Sequence, residues 1–479
     1  MSEMQLPEGW VLTSLNDIAD WGSGGTPSRK KAEYYSGNIP WIKTGDLGDK
    51  FVTEANEFIT EEAIKNSSAK WFTKDSVVMA MYGATIGKTS ILGFDATTNQ
   101  ACAVGSPLKN GTTCLFLYYL LSNHKDTFIS LGKGGAQPNI SQTLIKEFKI
   151  SLPPLAEQKQ IADTLDSLLA QVASSKAELE AALACLKQFR QSVLAAAVSG
   201  ELTKNWRAGS DAKTSEYSDK WQWKKIPASW EVKTYAEVVD SRLGKMLDKA
   251  KNTGESTKYL GNINVRWFHF NLDNTQTILV SKDEQSELSL TKGDVLVCEG
   301  GEPGRCAVWD IDSVKPMVFQ KALHRARVKE NLLPEWLVFN LKNDADNLTL
   351  NQLFTGTTIK HLTGKSLKKY PLRLPTIKEQ TEIVSRVESL FAAADEAEAE
   401  TQAALDKVNN LTQSILAKAF SGDLTAHWRT QTLRDNPELL TGDNSAANLL
   451  VKVKAEREAK LLAEKEAKKA ARTVAKKKT

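Results

Sequence analysis

A chain of 479 residues is long enough for about three or four structural units. With 41% hydrophobic and 25% charged residues it has the balance of a soluble chain with real cores, and no stretch approaches the roughly 18 consecutive apolar residues of a membrane span. The formal net charge of +4 is uneven: the tail from Lys452 to Thr479 holds nine Lys, two Arg and four Glu, or +7, which leaves −3 for the rest. A uniformly basic polyanion binder is therefore excluded, and any such site must be a local patch or be completed by a partner protein. The start Met1-Ser2-Glu3-Met4-Gln5 has neither the basic flank nor the apolar run of a secretory signal. The five cysteines (Cys102, Cys114, Cys185, Cys298, Cys306) are odd in number and never spaced C-x-x-C, which predicts reduced thiols in a cytoplasm rather than a disulfide scaffold or zinc ribbon.

In chain order, short runs rich in β-branched and aromatic residues come first, such as Ile39-Pro40-Trp41-Ile42 and Ser76-Val77-Val78-Met79, separated by Gly, Asn and Asp turns. They predict a loop-rich α+β globular unit of about 150 residues. From Glu157 to Val198 the period becomes helical: alternating steps of three and four from Leu165 give Leu168, Val172, Ser175, Leu179, Ala182, Leu186, Phe189 and Val193. A polar linker from Ala208 to Lys220 follows, then a second globular unit containing Asp294-Val295-Leu296-Val297. A second helical seam reads Val387, Leu390, Ala394, Ala397, Thr401, Ala404, Val408, Leu411 and Ile415. A polar linker from Thr430 to Asn448 and a frayed Ala/Lys/Glu helix beyond Leu450 complete the chain. About four heptads per seam, stopped by Ser199-Gly200 and Ser421-Gly422, describe coiled-coil helices that most simply bury their seams against each other.

The order of elements is an internal duplication. Leu152-Pro153-Pro154-Leu155-Ala156-Glu157-Gln158 returns as Leu374-Pro375-Thr376-Ile377-Lys378-Glu379-Gln380, and Ser199-Gly200-Glu201-Leu202-Thr203 as Ser421-Gly422-Asp423-Leu424-Thr425. Trp206-Arg207 matches Trp428-Arg429, and 24 of the 56 aligned pairs from Leu152 to Arg207 are identical. The globular parts are related more loosely, through Leu6-Pro7-Glu8-Gly9-Trp10 and Ile226-Pro227-Ala228-Ser229-Trp230. One frame thus occurs twice with different contents.

Catalytic motifs are not found. Gly83-Ala84-Thr85-Ile86-Gly87-Lys88-Thr89 has three residues between its glycines where a phosphate-binding loop needs four, and its counterpart Gly300-Gly301-Glu302-Pro303-Gly304-Arg305 lacks the Lys-Ser/Thr pair. A strand-to-strand turn presenting a basic residue explains both. The five histidines have no metal spacing. What remains are loops with basic, amide and hydroxyl groups, suited to phosphates and base edges. In the first half these are Ser23, Thr26, Arg29, Lys30, Lys43, Thr44, Lys88, Lys133, Gln137 and Asn139. In the second they are Arg242, Lys245, Lys258, Arg266, Arg305, Lys321, Arg325, Lys360 and His361.

The duplicated blocks, with Ile39-Pro40-Trp41-Ile42-Lys43-Thr44-Gly45-Asp46-Leu47, resemble the specificity subunit of a type I restriction–modification enzyme. The resemblance implies two α/β target recognition domains (1–153 and 226–375), two helical repeats forming an antiparallel coiled-coil spacer (154–207 and 376–429), a linker (208–225) and a tail (430–479). It also implies double-stranded DNA with a split, asymmetric site as ligand, and two methyltransferase subunits and motor-nuclease subunits as partners. S-adenosylmethionine, ATP and Mg²⁺ would sit on those partners, leaving this chain without a cofactor and without catalysis. The alternative is a coiled-coil scaffold that never touches DNA.

Overall fold

Continuous apolar runs set the centre of each globular part. In the computed structural model, which describes residues 6–134, 138–207, 214–216, 221, 225–248, 252–312 and 315–476, the strands Val77–Ala80 and Thr89–Leu92 are buried throughout. A strand apolar on both faces needs a layer on each side. Here the five-stranded sheet runs Ala19–Ser23, Cys102–Pro107, Val77–Ala80, Thr89–Leu92, Phe51–Val52. The helix Cys114–Asn123 covers one face, putting Phe116, Leu117 and Leu120 into one core with Val77, Met79 and Ile91. On the other face Val78, Ala80, Leu92 and Val104 pack with Ile42, beside a small sheet of Phe58–Ile59, Ile39–Ile42, Ala96–Thr98 and Trp71–Phe72. A ribbon of Val11–Ser14 and Lys149–Leu152 then leads into the first long helix, Leu155–Ser199.

The second globular part repeats the plan. Its sheet runs Val239–Leu243, Leu323–Val328, Val295–Cys298, Cys306–Val308, with a three-stranded sheet of Gln276–Val280, Glu255–Leu260 and Met317–Phe319 and the helix Pro334–Asp346. The ribbon Glu231–Thr234 with Pro371–Leu374 leads into the second long helix, Ile377–Ser421. The expected α+β class with two long helices is what the structure has. Both glycine turns are strand-to-strand connections, as their spacing predicts: Gly83–Lys88 joins Val77–Ala80 to Thr89–Leu92, and Gly300–Arg305 joins Val295–Cys298 to Cys306–Val308. All five cysteines are unpaired.

Two compact units divide the chain, and they cut across the domains expected from sequence: Met1–Ala177 with Leu405–Thr479, and Glu178–Ala404. Each contains one globular part, the start of one long helix and the end of the other. In the second unit Arg190 pairs with Asp395 at 2.5 Å and Glu398 at 2.7 Å, while Val193, Leu194 and Ala197 share a core with Ile383, Val384 and Val387. Residue numbers rise along one helix as they fall along the other, so the segments are antiparallel. In the first unit Ile161 and Leu165 share a core with Leu416 and Ala419. Of the seam residues, Leu165, Val193, Val387 and Ala394 are buried, while Ser175, Phe189 and Leu411 are exposed.

A buried carboxylate at each helix start explains why those sequence blocks are duplicated. Glu157 is fully buried and accepts from Trp10 Nε1 at 2.9 Å, Thr425 Oγ1 at 2.7 Å and Arg429 Nε at 2.9 Å. In the second unit Glu379 accepts from Trp230 Nε1 at 3.0 Å, Thr203 Oγ1 at 2.8 Å and Arg207 Nη1 at 2.5 Å. Each arginine also donates to the carbonyl of the glycine that ends the opposing helix, Gly422 and Gly200, both at 2.6 Å. Those glycines have φ of +86° and +80°, and a Cβ there would meet Pro7 or Pro227 at 2.5 Å. Leu6-Pro7 is therefore held beside the end of the second long helix, as a twofold-like duplication requires.

Two segments differ from the expectation. Thr430 to Asn448 is not a plain linker: Ala426–Asp435 is helical, short turns follow, and a 31-residue helix spans Ala446–Lys476. Leu440, Leu449 and Val453 are buried, and Arg457 Nη2 donates to the Ala19 carbonyl at 2.8 Å and to Asp20 at 2.9 Å. Apolar residues three to four apart dock this helix on the first globular part, a preference hidden by the lysines around them. Most of 208–225 lies outside the described residues, but Thr214–Glu216 pairs with Lys225–Pro227, and Trp221 is buried edge-on to Tyr370.

Truncating one partner of a buried, hydrogen-bonded ion pair strands the other charge, at a cost of about 3–5 kcal/mol. Arg207→Ala is therefore expected to destabilise the second unit by about that amount. Hydrogen exchange followed by mass spectrometry should show protection falling in 225–248 and 315–376 while 6–134 is unchanged. Equal loss in both units, or none, would show that Glu379 does not anchor its unit separately.

Candidate nucleic-acid interface

Loops become a site only where the sheet brings them to one end. In the first unit the register aligns Ser23 with Ala103, Cys102 with Ala80, and Met79 with Thr89. The loops at 24–26, 99–101 and 81–88 therefore leave the sheet at the same end. Gly25 N donates to Thr98 O at 2.9 Å, Asn99 N to Ile42 O at 2.9 Å, Met81 N to Ala101 O at 2.8 Å and Ile140 N to Met81 O at 3.0 Å. Lys133 and Asn139 exchange both backbone hydrogen bonds, each 2.9 Å, and Ile140 ties them to the same cluster.

The second unit builds that end with the same bonds. Lys245 N donates to Phe319 O at 2.9 Å, Gln320 N to Leu260 O at 2.9 Å, Glu299 N to Ala322 O at 2.9 Å and Leu362 N to Glu299 O at 2.7 Å. Thr355 and His361 form the exchanged pair, at 2.8 and 2.9 Å. Glycine is required at the tightest point of each: a Cβ on Gly24 would lie 1.8 Å from Thr98 O, and one on Gly244 would lie 2.3 Å from Gln320 O. One backbone frame thus carries two different sets of side chains.

Most of the predicted residues fall on these ends. In the first unit Ser23, Thr26, Lys43, Thr44, Lys88, Lys133 and Asn139 do, and Gln137 lies outside the described residues. Lys43 is at this end because it follows Ile42, which pairs with Thr98. Arg29 joins it through a shared carboxylate: Glu57 pairs with Arg29 at 2.7 Å and with Lys43. The Lys43 ammonium, with Arg29 adding to it, holds the Glu57 carboxyl below its ordinary range against a partial desolvation cost. The Arg29 guanidinium also lies over Tyr35, 4.2 Å from the ring centre, and Lys30 beside it is exposed. In the second unit Lys245, Arg305, Lys321, Lys360 and His361 gather at the corresponding end, and Trp267 Nε1, donating to Glu302 at 2.6 Å, brings the Arg266 hairpin alongside.

Three predicted residues lie along strands instead. Arg242 and Arg325 are register partners, and Lys258 is exposed in the strand Glu255–Leu260. Arg325 Nη1 donates to the carbonyls of Glu287 at 2.8 Å and Ser289 at 3.2 Å, at the C-terminal end of the helix Lys282–Leu288. Burial, reinforced by Arg327, pulls the Arg325 guanidinium below its ordinary range. That geometry gives Arg325 a structural task.

Sequence reading missed the anions. Arg242 pairs with Glu287, Lys245 with Glu284 and Arg305 with Glu302, so a phosphate must displace carboxylates at several of these cations. It also missed Tyr82, Gln100, Asn262 and Gln320, which stand in the same loops. Thr26 is hydrogen-bonded to the Gln100 side chain, and Asn262 Nδ2 donates to Gly300 O at 3.0 Å. Aligning the two halves on Gly24 and Gly244 is the signal that would have found them. Among the described residues no group of His, Cys, Asp or Glu is arranged to hold a metal ion, and no helix is long and apolar enough to cross a membrane.

Comparison with known proteins agrees with this duplicated frame. The family model "Type I restriction modification DNA specificity domain" matches twice, over residues 7–184 and 227–407. The chain is 34% identical over 473 residues to the specificity subunit of the type I restriction enzyme EcoKI of Escherichia coli strain K12, covering 96% of this chain and 98% of that one. It is 33% identical to the StySPI specificity subunit of Salmonella potsdam, covering 95% and 97%. Among solved structures, a chain of a type I restriction–modification assembly has the same fold with a TM-score of 0.67 at 18% identity, over 88% of this chain and 100% of that one. The HsdS subunit of Thermoanaerobacter tengcongensis gives 0.56 at 18% identity, over 88% and 99%.

The Glu57 carboxylate pairs with two cations of the candidate interface. Glu57→Gln is expected to tighten DNA binding at moderate salt and to steepen the slope of log K against log salt by up to about 1.8, the value of two additional phosphate contacts. Binding measured across a salt series checks this. An unchanged slope would mean that Arg29 and Lys43 do not meet phosphate.

Proposed function

Because the chain belongs to the type I restriction–modification DNA specificity family, we infer that it is the DNA-recognition subunit of such a complex, with each unit reading one half of a split, asymmetric site. The observation that carries this is the repeated sheet end: identical backbone bonds hold non-identical loops in the two units. Constant frames with variable side chains are what two independent readers of base edges require. The competing reading, a scaffold that never touches DNA, gives no reason for cationic and amide side chains to gather at both ends.

Two methyltransferase subunits are expected to dock on the long helices, whose middle surfaces include the exposed Ser175 and Leu411, and motor-nuclease subunits to join that core. S-adenosylmethionine, ATP and Mg²⁺ would then be held by the partners, and this chain would carry out no chemistry itself. Gel shifts with the purified chain, alone and with its methyltransferase partner, test the reading. Sequence-specific retardation supports it; retardation indifferent to sequence, or methylation, cleavage or ATP turnover that co-elutes with this chain alone, overturns it.

Modularity gives a sharper expectation. Replacing Ile226 to Pro375 with the corresponding domain of a relative should change one half of the methylated motif and leave the other intact, as read by methylation-detecting sequencing. A change in both halves, or in neither, would contradict independent readout.

The helices also serve as a spacer in this reading. At about 1.5 Å per residue, removing one heptad from each, Val172 to Glu178 and Ala394 to Glu400, shortens the pair by about 10 Å, or about three base pairs, while keeping both seams in phase. A complex that still assembles is expected to lose its original site or to prefer a shorter gap between unchanged half-sites. Wild-type methylation of the original spacing would assign the gap to something else.

A further inference from the structure

Several large apolar side chains are exposed beside cations and amides at this end of the second unit, and two of them are consecutive. Met246 is 54% exposed and Leu247 50% exposed. Their place is fixed, because Lys245 N donates to Phe319 O at 2.9 Å, Lys321 N donates to Lys245 O at 2.8 Å, and Lys245 bridges Gln320. Met246 and Leu247 thereby form one wall of a cavity of about 470 Å³ on the candidate interface. Its other walls include Asn262, Gln320, Lys321 and His361. Gly300 lines it as well, and a Cβ there would crowd His361, whose Nδ1 would lie 3.2 Å away. Asn262 Oδ1 is buried in this region with no hydrogen-bond partner.

The first unit fills the same positions differently. Matching the shared backbone bonds places Thr26 and Pro27 where the second unit has Met246 and Leu247, and Tyr82 where it has Gly300. Thr26 is engaged by Gln100. The apolar-walled recess is thus content of the second reader rather than part of the frame.

An apolar wall beside amide and ammonium groups matches one feature of the major groove. A base pair containing thymine shows a 5-methyl group next to hydrogen-bonding edges, and apolar side chains distinguish it by contact. We propose that Met246 and Leu247 read the 5-methyl group of a thymine in the half-site of the second unit, with Lys321 and Gln320 facing the polar edges beside it. This rests on the DNA-recognition reading above and adds the identity of a base and of two residues that read it.

The test uses the assembled complex of this chain with its methyltransferase partner, on a site first determined by methylation-detecting sequencing. Each thymine of the second half-site, on either strand, is replaced in turn by deoxyuridine, which removes only the methyl group. One position is expected to weaken binding about fourfold, the value of one buried methyl group at about 0.8 kcal/mol. Met246→Ala with Leu247→Ala should abolish that thymine–uracil difference while the uracil duplex binds within twofold of wild type. The exchange Met246→Leu with Leu247→Met should keep the difference, which separates loss of contact from loss of folding. A second half-site without thymine, no sensitive position, or a difference that survives the double alanine variant would each overturn the proposal. So would a double variant that impairs assembly with the partner yet leaves the difference intact, since the two residues would then belong to a protein interface. If the complex shows no sequence-specific binding at all, it is the DNA-recognition reading that fails.

Discussion

Everything else in this chain depends on a carboxylate buried at the first turn of each long helix. Removing a charge from water is expensive unless every lone pair finds a donor. Glu157 meets that condition only if Trp10, Thr425 and Arg429 converge on it, and Glu379 only if Trp230, Thr203 and Arg207 do. These donors come from the start of the unit's own globular part and from just beyond the end of the other helix. A slip of either helix would leave a charge unpaired, so register is enforced by cost rather than by the sum of weak apolar contacts. The seam itself, open at Ser175 and Leu411, would specify register poorly on its own.

Neighbouring groups extend the same constraint into the globular parts. Gln158 Nε2 donates to the carbonyls of Gly111 at 3.2 Å and Pro153 at 3.1 Å, and Gln380 Nε2 to those of Asn331 at 3.0 Å and Pro375 at 2.9 Å. Each long helix is therefore tied to the loop that begins the covering helix of its own unit. A rigid base leaves the far sheet end free to vary, because its backbone bonds do not depend on which side chains project from it. Thr26, Lys43 and Tyr82 in one unit and Met246, Asn262 and Gly300 in the other stand on the same frame. Carboxylates such as Glu57, Glu284 and Glu302 temper the cations there. This agrees with the modest charge of the chain outside its tail.

Several features were legible in the sequence because they are local or periodic. The duplication, the helical seams, the glycine stops at Gly200 and Gly422 and the strand-to-strand nature of the Gly83–Lys88 turn follow from spacing and from the φ that only glycine tolerates freely. The loops of the interface were legible as composition, and most of their residues do gather. The misjudged segments failed for identifiable reasons. Polar residues around Leu440, Leu449 and Val453 masked a docking face in what reads as linker and frayed tail. Arg325 reads as a free cation, but strand register and burial set it against the end of a helix.

The sequence by itself determined that one frame occurs twice, that helices follow each globular part, and to which family the chain belongs, since these rest on identity and period along the chain. Only the tertiary structure decided that each unit borrows the end of the other unit's helix, which buried carboxylate each arginine satisfies, and which cations are already paired. The first two depend on contacts between residues more than 150 positions apart, such as Glu157 and Arg429. The cation pairs depend on side-chain geometry over 3 to 45 positions, and spacing along a chain carries no record of either. The pairing of Met246 and Leu247 with Thr26 and Pro27 is of another kind. The offset of Leu6 from Ile226 already pairs these positions, and the shared backbone hydrogen bonds place them at the same point of the frame.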